Sequence, residues 1–108
     1  MNTFKLSKYW FSYSWENTGK ITPTHTAMYF YLLELGNSLN WKPVFGVPTD
    51  FVMTAIGVGS WKTYTKVFND LNDFGFIKII SKSQNQHTAT TISLTNDTDV
   101  FNICLCKK

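Results

Sequence analysis

The sequence predicts a small α+β domain, with a helical front half and a strand-bearing end. Three observations point there. A nearly all-apolar helical run follows a strong cap at Thr22; two capped helical segments meet around Gly57-Val58-Gly59; and two apolar runs, FIKII and ATTISL, enclose a polar tip.

Taken in order, residues 1–20 form an aromatic arm carrying Phe4, Tyr9, Trp10, Phe11, Tyr13 and Trp15. Tyr9, Phe11, Tyr13 and Trp15 alternate, but Trp10 breaks the alternation, so the period is ambiguous and a short helix after Ser7 fits best. Such a dense aromatic block either packs on its own core or serves as a dimerisation arm. Under the second reading the oligomerisation residues are Tyr9, Trp10, Phe11, Tyr13, Trp15 and Phe30.

Residues 21–95 carry the remaining elements. Thr22 suits a helix N-cap and Pro23 the first helical position, opening a helix that runs towards Leu39. Met28, Tyr29, Leu32, Leu35 and Leu39 share one face, while Phe30 and Leu33 lie off it, so this helix belongs at the domain centre. Phe45 and Val47 alternate between prolines, as in a very short edge strand. Thr49 is expected to cap the second helix, DFVMTAI, which stops at Gly57. Ser60 starts the third, WKTYTKVFNDLNDF, which stops at Gly75. Its Trp61, Tyr64, Val67, Phe68, Leu71 and Phe74 make one apolar stripe. Then FIKII, the tip SKSQNQHT and ATTISL read as a hairpin, with Ile77 and Ile79 sharing one face of the first strand and Ile92 and Leu94 sharing one face of the second. The tail, residues 96–108, holds Asp97, Asp99 and FNICLC, with little structural signal.

Helix, short strand, helix, turn, helix, strand, hairpin tip, strand is the order of a winged helix-turn-helix. The expected architecture is a three-helix core with a short edge strand and a C-terminal β-hairpin wing, plus the extra N-terminal arm.

Composition bounds the function classes. The chain has 108 residues, 44% hydrophobic, 17% aromatic and only 16% charged, so much of it must be buried. A formal charge of +3 is a mild bias and weak evidence for nucleic acid on its own. Placement says more: between Phe74 and Asn96 there is no acid, while Lys78, Lys82 and His87 fall there. The start lacks a long apolar leader core and no run approaches membrane-spanning length, which leads us to expect a cytoplasmic, nucleoid-associated protein with reduced thiols. Cys104 and Cys106, one residue apart, are too close for an unstrained disulfide. With His25 and His87 they also lack the spacing of a zinc set, so no metal is expected. No phosphate loop, paired carboxylates or Ser/His/Asp set has convincing context; neither an enzyme nor a cofactor nor a small-molecule substrate is expected.

The leading expectation is binding to double-stranded DNA. A recognition helix puts its N-terminal half against base edges, and here that half holds Ser60, Lys62, Thr63 and Lys66, with Asn69 further along. The acids Asp70 and Asp73 come later, in the half that normally leaves the groove. Lys78, Lys82, Ser83, Gln84, Asn85, Gln86 and His87 of the wing suit phosphate oxygens or minor-groove acceptors. Taken in isolation, the third helix is better explained as an ordinary amphipathic helix with a Lys66–Asp70 pair at i,i+4, and only its combination with the wing favours DNA. Trp61 either caps the core edge or touches the DNA backbone.

From FKLSKYWF through ITPTHTAMYFYLLELGNSLNWK, FGVPTDFVMTAIGVGSWKTYTKVFNDLNDFGFIKII and SKSQNQHTATTISL, the chain resembles the winged-helix domains of phage and mobile-element replication-initiation proteins, the replisome-organiser or primosomal type. Related sequences are often labelled helix-turn-helix regulators. The resemblance implies DNA binding, in replication initiation or transcription regulation. It also implies self-association as a homodimer through the N-terminal segment and first helix, and no activity of its own. The rival is a protein-interaction or oligomerisation module of the same fold that does not bind DNA.

Overall fold

The computed structural model describes residues 3–81 and 90–94; the hairpin tip and the tail expected from the sequence lie outside these. Four helices come before and around a three-stranded antiparallel sheet: α1 (Thr3–Glu16), α2 (Pro23–Ser38), β1 (Phe45–Val47), α3 (Thr49–Ile56), α4 (Trp61–Phe74), β2 (Ile77–Ser81) and β3 (Thr90–Leu94).

The N-terminal arm is a full helix that starts at Thr3, well ahead of the expected boundary at Ser7. Leu6, Trp10 and Tyr13, at i, i+4 and i+7, point into the domain and are buried. Trp10 stacks on Tyr29 of α2 with ring centroids 4.6 Å apart, and meets Phe76 edge-on at 5.0 Å. Its indole N–H donates to the Thr26 hydroxyl at 3.4 Å. Helix α1 therefore shares one core with α2, α3, α4 and the sheet. Trp10 and Tyr13 are correspondingly lost to any oligomerisation surface, because they are 0% and 2% exposed.

Helix α2 opens as its sequence demands. The Thr22 side chain accepts from the His25 N–H, Pro23 fills the first turn, and the His25 side chain accepts from the Thr22 N–H, a reciprocal box with histidine in the third position. The buried residues are His25, Met28, Tyr29, Leu32, Leu33 and Gly36, which makes α2 the central element. Leu39, expected on the same face, is instead the C-cap and exposed, since the helix ends at Ser38.

Helix α3 has Pro48, not Thr49, at its N-cap. Thr49 is the first helical residue and is turned inward, buried. Both α3 and α4 end on a glycine in the left-handed region, Gly57 at φ 81° and Gly75 at φ 91°, where a side chain would be strained. In α4 the stripe is as expected: Tyr64, Val67, Phe68 and Leu71 are buried, with Trp61 and Phe74 half-buried at its edges.

The sheet order is β1-β3-β2. Phe45 pairs with Ile92 and Val47 with Thr90 on one side; Ile77 pairs with Leu94 and Ile79 with Ile92 on the other. Phe45, Val47, Ile77, Ile92 and Leu94 are buried against the helices. An irregularity between Ile79 and Ser81 leaves Ile80 half exposed, and Ser81, expected at the tip, is the last residue of β2.

Trp10→Ala should destabilise the protein by about 3–5 kcal/mol, the range for deleting a fully buried large aromatic. Urea denaturation followed by far-UV circular dichroism would measure it. A loss below about 1 kcal/mol would show that α1 is not part of the core.

Candidate nucleic-acid interface

The site to be tested is the outer face of α4 with the outer face of β2. Ser60 sets its start: in extended conformation it accepts from the Thr63 N–H at 3.3 Å and leaves the other first-turn N–H groups pointing outward. Because the apolar stripe is fixed in the core, Lys62, Thr63 and Lys66 are exposed on the opposite side, with Asn69 half-buried beside them. Trp61, Lys62, Thr65, Lys66, Asn69 and Asp70 line an open recess of about 450 Å³ along this face.

Trp61 is half-buried, its ring stacked on Tyr64 at 6.1 Å, and Tyr64 in turn on Phe68 at 5.5 Å. It caps the edge of the core and still borders the recess. Behind it a small cavity of about 40 Å³ sits between α4 and the sheet, against Ile79 and Thr90. Burial pushes the Tyr64 phenol up to about 12, only partly offset by the neighbouring Thr49 side chain. Tyr64 thus stays protonated and structural.

The acids of α4 are not equivalent. Asp73 is exposed at the rear of the helix. Asp70 is three-quarters buried, and its Oδ2 accepts from His25 Nε2 at 2.9 Å and from Lys66 Nζ at 3.1 Å. The His25 ring is itself oriented: Nδ1 accepts from the Thr22 N–H at 3.0 Å, and Phe74 lies 5.6 Å away. Since Nδ1 accepts, the proton sits on Nε2, which donates to Asp70. A chain of polar contacts therefore joins the N-terminus of α2 to a lysine on the candidate interface. The Lys66–Asp70 half of it was legible at i,i+4. The His25–Asp70 half, across 45 residues, was not.

Among the other expected residues, Lys78 is exposed on the outer face of β2, opposite Ser93. Lys82, Ser83, Gln84, Asn85, Gln86 and His87 lie outside the described residues. Of the expected oligomerisation set, Phe11 and Trp15 are 59% and 82% exposed, and Phe30 is half-buried with its ring 5.6 Å from Phe11. Phe4, 78% exposed, joins them on the outer face of α1. Among the described residues no group of His, Cys, Asp or Glu could hold a metal ion, and no helix is long and apolar enough to cross a membrane. Compared with known proteins, the chain matches no family model, no curated protein and no solved structure.

The Asp70 geometry carries a pH dependence. Partial burial by itself raises the carboxyl pKa, but the hydrogen bonds from His25 and Lys66 and the Lys66 charge outweigh it, leaving it below the ordinary 3.8. A folded-state pKa below the unfolded one means stability that is present above 3.8 and is lost as pH falls from there through the lowered value. Between about pH 6 and pH 3 the urea midpoint of the wild type should fall further than that of Asp70→Asn, which has no carboxyl to titrate. Parallel falls would remove Asp70 from the acid response.

Proposed function

We propose that this protein is a winged helix-turn-helix domain that binds double-stranded DNA, as a replication initiator or a transcription regulator in the cytoplasm. The order α2, β1, α3, α4, β2, β3 with strands arranged β1-β3-β2 supports the fold. The compact turn at Gly57, Val58 and Gly59 between α3 and α4 supports the helix-turn-helix within it. The observation that carries the function is the polarity of α4. Its exposed front half offers Ser60, Lys62, Thr63 and Lys66, and its acids sit behind, one of them tied to His25. A helix entering the major groove by its N-terminal end needs that order, because acids at the front would meet phosphate.

In this reading Lys62 and Lys66 anchor the backbone, Thr63 and Asn69 reach base edges, and Lys78 on β2 approaches the flanking strand. Lys62→Ala with Lys66→Ala should weaken binding to any duplex and flatten the dependence of log affinity on log salt, by up to about 0.9 per lysine that meets a phosphate. A low-salt mobility-shift titration would check it. Unchanged affinity and slope would remove α4 from the interface.

A second reading has its own observation. Phe4, Phe11 and Trp15 form a stripe on the outer face of α1, and Phe30 adjoins it. Exposed aromatics in such a row suit a protein partner, a second copy of the chain being the simplest. Multi-angle light scattering should then give a dimer mass that Trp15→Lys lowers towards the monomer. An oligomer with no duplex affinity at low salt would favour an interaction module over a DNA reader.

A further inference from the structure

We propose that Asp70 sets the selectivity of the α4 surface: it is a fixed carboxylate that occupies Lys66, so that a general polyanion meets one available lysine at the front of the helix and not two. The inference rests on the DNA-binding reading of α4.

The argument starts from an oddity of orientation. A lysine four residues ahead of an acid is the weaker arrangement of an i,i+4 pair, because the charges oppose the helix dipole. An exposed pair of this kind contributes little, since two long side chains must be held for it. Here one of the two is already held. Asp70 is only 24% exposed, and His25 donates to the same Oδ2 that receives Lys66. His25 is itself buried and aligned by the Thr22 N–H. The carboxylate therefore cannot swing away into solvent when an anion approaches, whereas Lys66, 76% exposed, can.

A phosphate that takes Lys66 must accordingly compete with a carboxylate 3.1 Å from the ammonium, and it feels that carboxylate's repulsion well within the ~8 Å screening length of physiological salt. Lys62 is in a different position. No acid lies three or four residues from it along α4, so its charge is offered to phosphate outright. Lys66 is released only where the nucleic acid makes enough other contacts to draw it from Asp70. Sites that engage Ser60, Thr63 and Asn69 as well do so; bare backbone does not. The pair thereby lowers nonspecific affinity more than specific affinity, which is discrimination by a built-in competitor.

The test is a four-protein cycle of wild type, Asp70→Asn, Lys66→Ala and the double variant, titrated against a short mixed-sequence duplex across a salt series. Asparagine keeps a carbonyl oxygen for the His25 donor, so the fold is retained, as melting curves would show. Asp70→Asn should bind about three- to tenfold tighter at low salt, with a log–log salt slope steeper by about 0.9, one extra phosphate contact. Lys66→Ala should be nearly silent on its own and should abolish that gain in the double variant. Equal effects of Lys66→Ala in both backgrounds would overturn the inference, as would Asp70→Asn binding no tighter than wild type. Should Asp70→Asn fail to fold, Lys62→Ala and Lys66→Ala in the native background decide: the first should flatten the slope clearly more than the second, and equal losses would overturn the proposal. No binding by any of the proteins would overturn the DNA reading and this inference with it, whereas binding by all with a single slope would overturn the inference alone.

Discussion

The packing of Trp10 between Tyr29 and Phe76 is the constraint from which the rest of the arrangement follows. Each of these rings is at most 1% exposed, and each belongs to a different part of the chain: α1, α2, and the junction between α4 and β2. Phe76 also meets Tyr29 at 5.2 Å and Tyr13 at 5.1 Å, so three segments are locked at one point. Such pairs contribute ~0.5–1.5 kcal/mol each beyond the area they bury. The geometric consequence matters more. Phe76 directly follows Gly75, where α4 ends, so fixing Phe76 fixes where the helix stops and where the hairpin begins.

Once that end is fixed, the helix has little freedom to rotate. Tyr64, Val67, Phe68 and Leu71 fill the space under α2 and the sheet, and moving any of them outward would expose a large apolar side chain and leave a void. The outer face is then determined by subtraction. Ser60, Lys62, Thr63 and Lys66 face solvent because their neighbours at helical spacing cannot. The core thus chooses which residues are presented, and the sequence between core positions chooses their chemistry.

This division explains what was legible. The ends of α2, α3 and α4 could be read from Thr22, Pro23, Ser60, Gly57 and Gly75, because capping is a local matter of dihedral angles and nearby N–H groups. The strand faces followed from alternation. Helix α1 was harder because both of its faces are aromatic: Leu6, Trp10 and Tyr13 point in, while Phe4, Phe11 and Trp15 point out, and no period stands out when both sides are apolar. Thr49 was misplaced by one position for a different reason. Its side chain is turned into the interior beside Tyr64 of α4 and does not cap the first turn of α3, and no local rule announces a tertiary use. His25 could be placed at the third position of its helix, but nothing near either residue says that its ring reaches Asp70 across 45 positions.

That contact changes how the charge of the domain should be counted. A formal +3 spread over 108 residues suggests weak attraction to polyanions wherever it is measured. What a nucleic acid meets, however, is the local balance on one helix. There Asp70 is closed by two donors, Lys66 is shared with it, and Lys62 stands without an acid one turn ahead. With so little uncommitted charge at the front of α4, Coulomb attraction alone supplies a poor grip on duplex DNA. On the DNA reading, directional groups would then contribute a larger share of the binding, namely the Ser60 and Thr63 hydroxyls, the first-turn N–H groups and the Asn69 amide. Directional groups discriminate where point charges do not, because each has a partner geometry that only some base sequences or backbone shapes supply. On the DNA reading, the low charge that made the sequence look like an indifferent candidate is the property that would make α4 selective.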